Sequence, residues 1–514
     1  MKKQNGFTLV ELLGVIMILA LIVIVASPPI IEKLKRAETE IDKASMALVE
    51  SAVELYIDES GNSYPNINGY NYCLTLQQLV DSGKLKKAVL NTKSGDQVDL
   101  STIITVEILN KNINVSMNDT CKEYRSPSAP ELTIGMIPVT YDGTNWVKAD
   151  ANKSWYNYTN QEWANAVTVT STNRTTYLNA TPGEVIPIAD INTMWVWIPR
   201  YKYAIPAGTG AREINIVFES KDVDKSTGNA VGTSYLTHPA FTFGDYEVNG
   251  IWVGKFETTG EIGSPTILAG IASLKNQTVK AMYDASRAMQ NNTTYGTSTD
   301  GNIHMAKDSE WGAVAYLSQS QYGKYGNSMY TGANKEIYQN KSSTYITGSS
   351  NGTPSQSETN TQCVYNDTAD RGSGAGACGA GASTTGNIYG VYDMSGGAWE
   401  YTMSMYRPTD ATSVTDNSGF GATTTLENLP TREYWDRYTG PVATACSGGI
   451  CYGSALSETG DWYSDYESFV SLSSPWSVRG GGYSNATSAG AFGFYYYTGG
   501  AISSRSFRVV QLKP

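Results

Sequence analysis

The residues that could do chemistry in this chain are defined as much by missing neighbours as by their own types. Its two histidines, His238 and His304, have no second His and no Cys at metal-ligand spacing, so zinc or iron catalysis is not expected. No Ser/His/Asp constellation can be argued from spacing, and acids such as Asp461 and Asp465 read as ordinary surface residues. The six cysteines fall into three local sets, Cys73/Cys121, Cys363/Cys378 and Cys446/Cys451, none of them in a CxxC or Cys/His cluster. An even number in an exported chain reads as disulfides; of the many connectivities open to it, nearest-neighbour pairing is the expectation, with unpaired buried thiols as the alternative. One carboxylate stands in an unusual place. Glu11 interrupts an apolar run from Phe7 to Ala26, and an acid inside a membrane is costly enough to need a function and a partner.

The elements that must position these residues follow from composition and periodicity. A chain of 514 residues, 40% hydrophobic and 17% charged, with 35 Tyr, 11 Trp and 50 Gly, is ordered globular material too long for one core, so about two to four domains are expected. A net charge of −11, without a basic stripe outside the first helix, repels a phosphate backbone, and nucleic acid is not an expected partner. The run Phe7–Ala26 can cross a bilayer, since about 20 helical residues at about 1.5 Å each match the hydrocarbon core. It lacks the short apolar region and small-residue cleavage site of a secretory signal peptide.

Beyond Pro29, Leu34, Ile41, Leu48 and Leu55 recur every seven residues, with Ala37, Ala44 and Ser51 beside them. This predicts a helix whose apolar stripe packs on a small head, residues 59–124, containing a helix in LQQLVDSGKLKKAV and strands near VDLSTIITVEIL and INVSM. The Pro- and Ser-rich segment 125–132 reads as a linker. Residues 133–193 read as a β-rich connecting region of short aromatic and β-branched runs. In Trp195, Val196, Trp197 and Ile198 the pattern favours a buried sheet core over a binding face.

Two family resemblances add to this reading. The string Gly6-Phe7-Thr8-Leu9-Val10-Glu11 resembles the class III signal of type IV prepilins and pseudopilins, and Pro28 matches a kink-site proline common in their helices. The resemblance implies a leader, 1–6, removed after Gly6 by a prepilin peptidase, methylation of the Phe7 amine, and pairing of Glu11 with such an amine in the assembled filament. It also implies a transmembrane/pilin helix, 7–58, a precursor in the inner or cytoplasmic membrane, and a mature form at the cell surface or in an extracellular filament with other pilins. In that picture Cys73 and Cys121 staple the head.

From about Met194 the chain resembles the formylglycine-generating-enzyme (sulfatase-modifying factor) family, a C-type-lectin-like fold. The resemblance rests on Ile251-Trp252-Val253-Gly254-Lys255-Phe256-Glu257-Thr258-Thr259, Asp308-Ser309-Glu310-Trp311, GNIYGVYDMSGGAWEYT at 386–402, Val478-Arg479-Gly480-Gly481 and Phe507-Arg508-Val509-Val510. The active family carries a cysteine pair shortly after Arg-Gly-Gly. Here that stretch, GGGYSNATSAGAFGFYYYTGGAISSRSF, has none, and Cys446 and Cys451 lie upstream, where they close a small loop. No catalytic residue is therefore expected, because fold does not carry activity with it. The family's structural calcium site would use Glu400 and the carbonyl of Ala398, but Gly397 replaces the family's Asn; no other cofactor is implied.

The segment after Arg479 further resembles the variable region of target proteins diversified by retroelements. Its fixed blocks are Arg-Gly-Gly, Ala489-Gly490-Ala491-Phe492-x-Phe494 and Phe507-Arg508-Val509-Val510. Between them stand Tyr483, Ser484, Asn485, Ser488, Tyr495, Tyr496, Tyr497, Thr498, Ile502, Ser503, Ser504 and Arg505, each with a codon ending in C or T, as mutation of Asn codons at their adenines requires. Tyr supplies stiff amphipathic area and Ser and Asn adaptable hydrogen bonds, the composition of a paratope. About one of Tyr495 to Tyr497 is expected to face the core.

The expected fold is thus α+β: a long N-terminal pilin helix with a small head, then a loop-rich C-type-lectin-like domain of the formylglycine-generating-enzyme type over 194–514. The expected function is non-catalytic binding of a protein or glycan ligand at the cell surface. The alternative is a structural minor pilin or pseudopilin of a secretion or DNA-uptake filament, without a soluble ligand.

Overall fold

The computed structural model describes residues 43–59, 71–92, 95, 97–109, 112–117, 121, 127–151, 155–230, 232–350, 363–369, 377–408, 414–421, 428–440 and 451–513. Gly6, Phe7, Glu11, Pro28, Leu34, Ile41 and Cys446 lie outside the described residues, and so do the leader and the apolar run. Among the described residues no helix is long and apolar enough to cross a membrane. The chain is a mixed α and β protein of several small sheets and few helices, in two compact units. The described residues up to Cys121, with Ala151, belong to the first, and the other described residues from 127 onward to the second.

In the small unit the helix Lys43–Glu59 accompanies an antiparallel sheet, Asn71–Thr75, Ile103–Leu109, Asn112–Met117, in that order. The middle strand alternates as a half-buried strand must, with Ile104, Val106 and Ile108 inside. A short helix, Leu76–Asp81, starts at a capping box in which Gln78 N donates to Thr75 Oγ1 (3.2 Å) and Thr75 N to Gln78 Oε1 (2.7 Å). The Cys73–Cys121 disulfide ties the first strand to the end of the unit. The heptad stripe does not form the packed face. Leu48 and Leu55 are 45% and 51% exposed, and Ser45, Val49, Ala52, Val53 and Ile57 are buried instead. Those positions follow the helical repeat near 3.6, which a helix lying on its own domain obeys.

The large unit is organised by two sheets. The first has seven strands in the order Asn302–Met305, Val509–Leu512, Gly250–Gly254, Ile191–Pro199, Asn165–Val169, Ile137–Tyr141, Trp146–Lys148. Trp195, Val196, Trp197 and Ile198 are all buried in the strand at its centre, with Trp197 against Trp252 at 5.2 Å. Residues 133–193, read from sequence as a connecting region, are an integral half of this sheet. Likewise the segment read as a linker is partly built in: Ala129 is buried, and Trp252 Nε1 donates to Glu131 O (2.7 Å). Short β-branched runs cannot announce their sheet partners from sequence, because pairing is non-local.

The second sheet runs Asp436–Tyr438, Trp399–Tyr406, Trp476–Arg479, Phe494–Tyr497, and Arg505–Phe507 also pairs with Trp399–Tyr406. The helix Asp308–Ser318 is buried along its whole length. It buries its acids only with partners. Glu310 Oε2 accepts from Lys307 N (2.9 Å) and Oε1 bonds His304 Nε2 (2.8 Å), while Asp308 meets Arg479 Nη1 (3.4 Å), Thr402 Oγ1 (2.9 Å) and the Tyr438 hydroxyl. Cys363 and Cys378 form a disulfide in this unit, and Cys451 is disulfide-bonded as well.

Candidate ligand-binding face

The segment 482–506 is framed by buried groups. Arg479, fully buried, donates through Nε to Gly493 O (3.0 Å), through Nη1 to Ser454 O (2.7 Å) and through Nη2 to Ala455 O (2.8 Å). The chain then turns at Gly481, whose φ of +73° and whose ideal Cβ, only 2.6 Å from Ala489 Cα, admit no side chain. Phe492, Phe494 and Phe507 are buried anchors. Asp465, read from sequence as a surface acid, is buried here too: one carboxylate oxygen accepts from Phe492 N (3.0 Å), and burial raises its pKa to about 7.

Between these anchors the chain presents a face. Along Phe494–Tyr497 the three tyrosine rings stay together, Tyr495 stacked on Tyr496 at 4.4 Å and 5.7 Å from Tyr497 by ring centroid, while Tyr496 also packs on the cluster of Tyr406, Tyr438, Leu456, Val470 and Phe494. All three tyrosines are half-buried. Trp399 is the floor of the face. Tyr495 lies 5.9 Å from it by ring centroid, Tyr466 6.5 Å, and Asn485 Oδ1 accepts from its Nε1 (3.1 Å). The parallel register sets Trp399 opposite Arg505. The Arg505 guanidinium lies 4.1 Å from the Tyr497 ring centroid and 5.6 Å from that of Trp399. Tyr483 extends the face to Tyr345 (5.2 Å), over which Lys275 Nζ sits at 4.3 Å. Tyr345 holds φ +61°, a left-handed backbone that costs a bulky residue about 1–3 kcal/mol and concentrates at functional sites.

The structure thus gathers Tyr483, Asn485, Tyr495, Tyr497, Ser504 and Arg505 around Trp399. Ser484 and Ser503 are exposed beside them. It does not gather the remaining expected residues. Tyr496 is divided between Tyr495, on which it stacks, and the apolar cluster, Thr498 O and Oγ1 accept from Asn417 (2.7 and 3.2 Å), Ile502 O accepts from Asn276 N (3.2 Å), and Ser488 O accepts from Tyr466 N (2.9 Å). Trp399, Tyr345, Tyr466 and Lys275 were not singled out from sequence. Of these only Trp399 carried a signal, as the aromatic of the Gly-Gly-Ala-Trp-Glu landmark.

The residues named for a calcium site are engaged within the chain. Glu400 meets Arg508 with both oxygens, one at 3.0 Å from Nε and the other on Nη2. The Ala398 amide donates to Glu257 Oε1 (2.9 Å). Among the described residues no group of three or more His, Cys, Asp or Glu side chains is arranged to hold a metal ion. Glu257 is itself fully buried, and burial, then Glu400 and Asp393, push its pKa well above the carboxylate range.

Residues 1–27 match the prokaryotic N-terminal methylation motif. No characterised protein matches the chain. The motif gives the chain a type IV pilin-like N-terminus and implies processing by a prepilin peptidase, a membrane-anchored precursor, and assembly with other pilins into a pilus-associated surface protein.

Proposed function

We propose that the chain is a non-catalytic ligand-binding protein of the cell surface, carried like a type IV pilin, whose large unit meets its ligand through the face around Trp399. The observation that supports this best is the side-by-side placement of half-exposed Tyr483, Tyr495 and Tyr497 on one face while Phe492, Phe494 and Phe507 hold the same segment from within. Such a segment can change its outward residues without changing its fold. That is the property a retroelement-diversified region on a lectin-like, formylglycine-generating-enzyme-like scaffold requires, and those of the twelve positions named from sequence that gather around Trp399 are its candidate contacts. Cleavage after Gly6, methylation of Phe7 and a filament role for Glu11 belong to the same reading.

The test is adhesion of the full chain, displayed on cells or purified in detergent, to host and microbial surfaces. Tyr495→Ala combined with Tyr497→Ala should weaken adhesion by about 2 kcal/mol or more, as central aromatic anchors do, with little change in Tm. Unchanged adhesion per folded molecule would favour a purely structural pilin.

A further inference from the structure

We infer that the ligand of this face is an acidic glycan, its carboxylate taken by Arg505 and its sugar rings by the tyrosines that surround it. The inference rests on the binding-face reading above and names the class of ligand. It begins from a contrast among buried arginines. Arg200 meets Glu219 (3.2 Å) and Glu247 (2.6 Å), Arg479 meets Asp308 (3.4 Å), and Arg508 meets Glu400. Arg505 is 5% exposed, yet no carboxylate among the described residues lies within ion-pair distance of it. Its Nη1 donates to Ser504 O (3.1 Å) and Ser504 Oγ (2.8 Å), while Nε is buried without an acceptor. The Tyr497 hydroxyl hydrogen-bonds the guanidinium, and the hydroxyls of Tyr401 and Tyr345 lie near it, so its neighbours are phenols and not carboxylates.

A desolvated guanidinium without an anion is costly, and an unsatisfied buried donor calls for an explanation. Here the explanation is an anion that arrives with the ligand. The planar fork of Arg matches a carboxylate, which can accept two parallel N–H bonds. Lys275 adds a second positive charge beside Tyr345. In a chain of net charge −11 this local concentration of cations selects an acidic partner by contrast with the rest of the surface.

The tyrosines favour a sugar over a peptide. Tyr483, Tyr495 and Tyr497 keep part of each ring in solvent, and Tyr466 is 42% exposed. Flat rings of this kind stack on the C–H face of a pyranose, and Ser484 and Ser503, both exposed, can turn to meet its hydroxyls. An extended peptide would instead add to the free edge of the strand Phe494–Tyr497. That edge is already engaged at Phe494, whose N donates to Tyr466 O (2.8 Å) and whose O accepts from Ser468 N (3.0 Å).

The experiment measures binding of the full chain, purified in detergent, to polygalacturonate, a sialylated oligosaccharide, a neutral galactan and poly-glutamate. The expected result is binding to at least one carboxylated glycan, weakened more than about tenfold by methyl esterification of the same glycan or by Arg505→Leu, and only partly retained by Arg505→Lys. Esterification needs no variant, so it decides the matter even where Arg505→Leu fails to fold. Equal binding of neutral galactan and polygalacturonate overturns the acid requirement but leaves the face standing, provided that Tyr495→Ala with Tyr497→Ala still abolishes it. Stronger binding of poly-glutamate than of any glycan overturns the glycan assignment. Absence of binding to both acidic glycans overturns the inference as a whole, while adhesion to cells that still depends on the two tyrosines would preserve the underlying binding-face reading.

Discussion

Phe507 is fully enclosed and contributes nothing to the outward face, so its truncation isolates folding from binding. Phe507→Ala should destabilise the large unit by about 3–5 kcal/mol through the cavity it leaves, seen as a lowered Tm with adhesion per folded molecule preserved. Glu458 makes a different test. It accepts from the hydroxyls of Tyr203 (2.8 Å) and Tyr316 (2.8 Å) and from Gly453 N (2.6 Å), and burial raises its pKa from 4.5 to about 7. The folded state therefore keeps a proton that the unfolded chain has already lost, and the associated stability is full below pH 4.5 and is lost as pH rises through about 7. Each pH unit crossed inside that window removes about 1.4 kcal/mol. Glu458→Gln should reduce the fall in stability between the lower and upper ends of the window, measured by denaturant unfolding; an unaltered slope would assign the titration to another acid. Neither Glu458 nor Asp465 could be recognised from sequence, because a buried acid is distinguished only by partners that the fold brings from afar. The tyrosines of the face were more legible. Their outward character was readable from composition, but which of them also met the core was not: Tyr496, stacked on Tyr495, is the one that reaches the apolar cluster.

At the scale of elements, the helix Lys43–Glu59 carries two apolar surfaces, only one of which its own unit uses. Val49, Val53 and Ile57 are enclosed, whereas Leu48 and Leu55 face solvent. A seven-residue repeat suits contact with another helix, and the inner positions follow the helix's own period. Leu48→Glu with Leu55→Glu should then leave the unfolding free energy of the small unit within about 0.5 kcal/mol of wild type, as surface changes do, and reduce incorporation into filaments. Pelleting of sheared pili with immunodetection measures the second effect. If incorporation is unaffected while the unit unfolds, the exposed leucines are structural. The repeat was visible in the sequence; its destination was not, since one chain's periodicity does not say whether the partner lies within the chain or outside it. The strand Ile103–Leu109 was readable for the opposite reason, because Ile104, Val106 and Ile108 alternate with half-buried neighbours across a single domain.

At the scale of the whole molecule, the N-terminal motif and the disulfides describe one itinerary, from membrane precursor to an oxidising exterior. Mature protein is expected to begin at Phe7, and Glu11→Ala should leave cleavage intact while blocking assembly; surface material retaining Met1 by mass spectrometry would refute the processing step. The sheet that joins residues 137–141 to residues 509–512 was not legible, for its strands meet across most of the chain. The cysteine sets were legible because both described pairs are local, separated by 48 and 15 residues. Closing loops of that size restricts the unfolded chain and stabilises by roughly 3–4 kcal/mol each. Because Cys73–Cys121 lies wholly within the small unit, Cys73→Ser with Cys121→Ser should lower the stability of that unit and leave ligand binding by the large one unchanged. Cys363→Ser with Cys378→Ser should do the reverse, lowering the stability of the large unit and, above its new Tm, abolishing binding. Calorimetry paired with adhesion measurements on each double variant separates the two. If loss of Cys73–Cys121 weakened binding as much as loss of Cys363–Cys378, the assignment of ligand recognition to the large unit alone would be wrong.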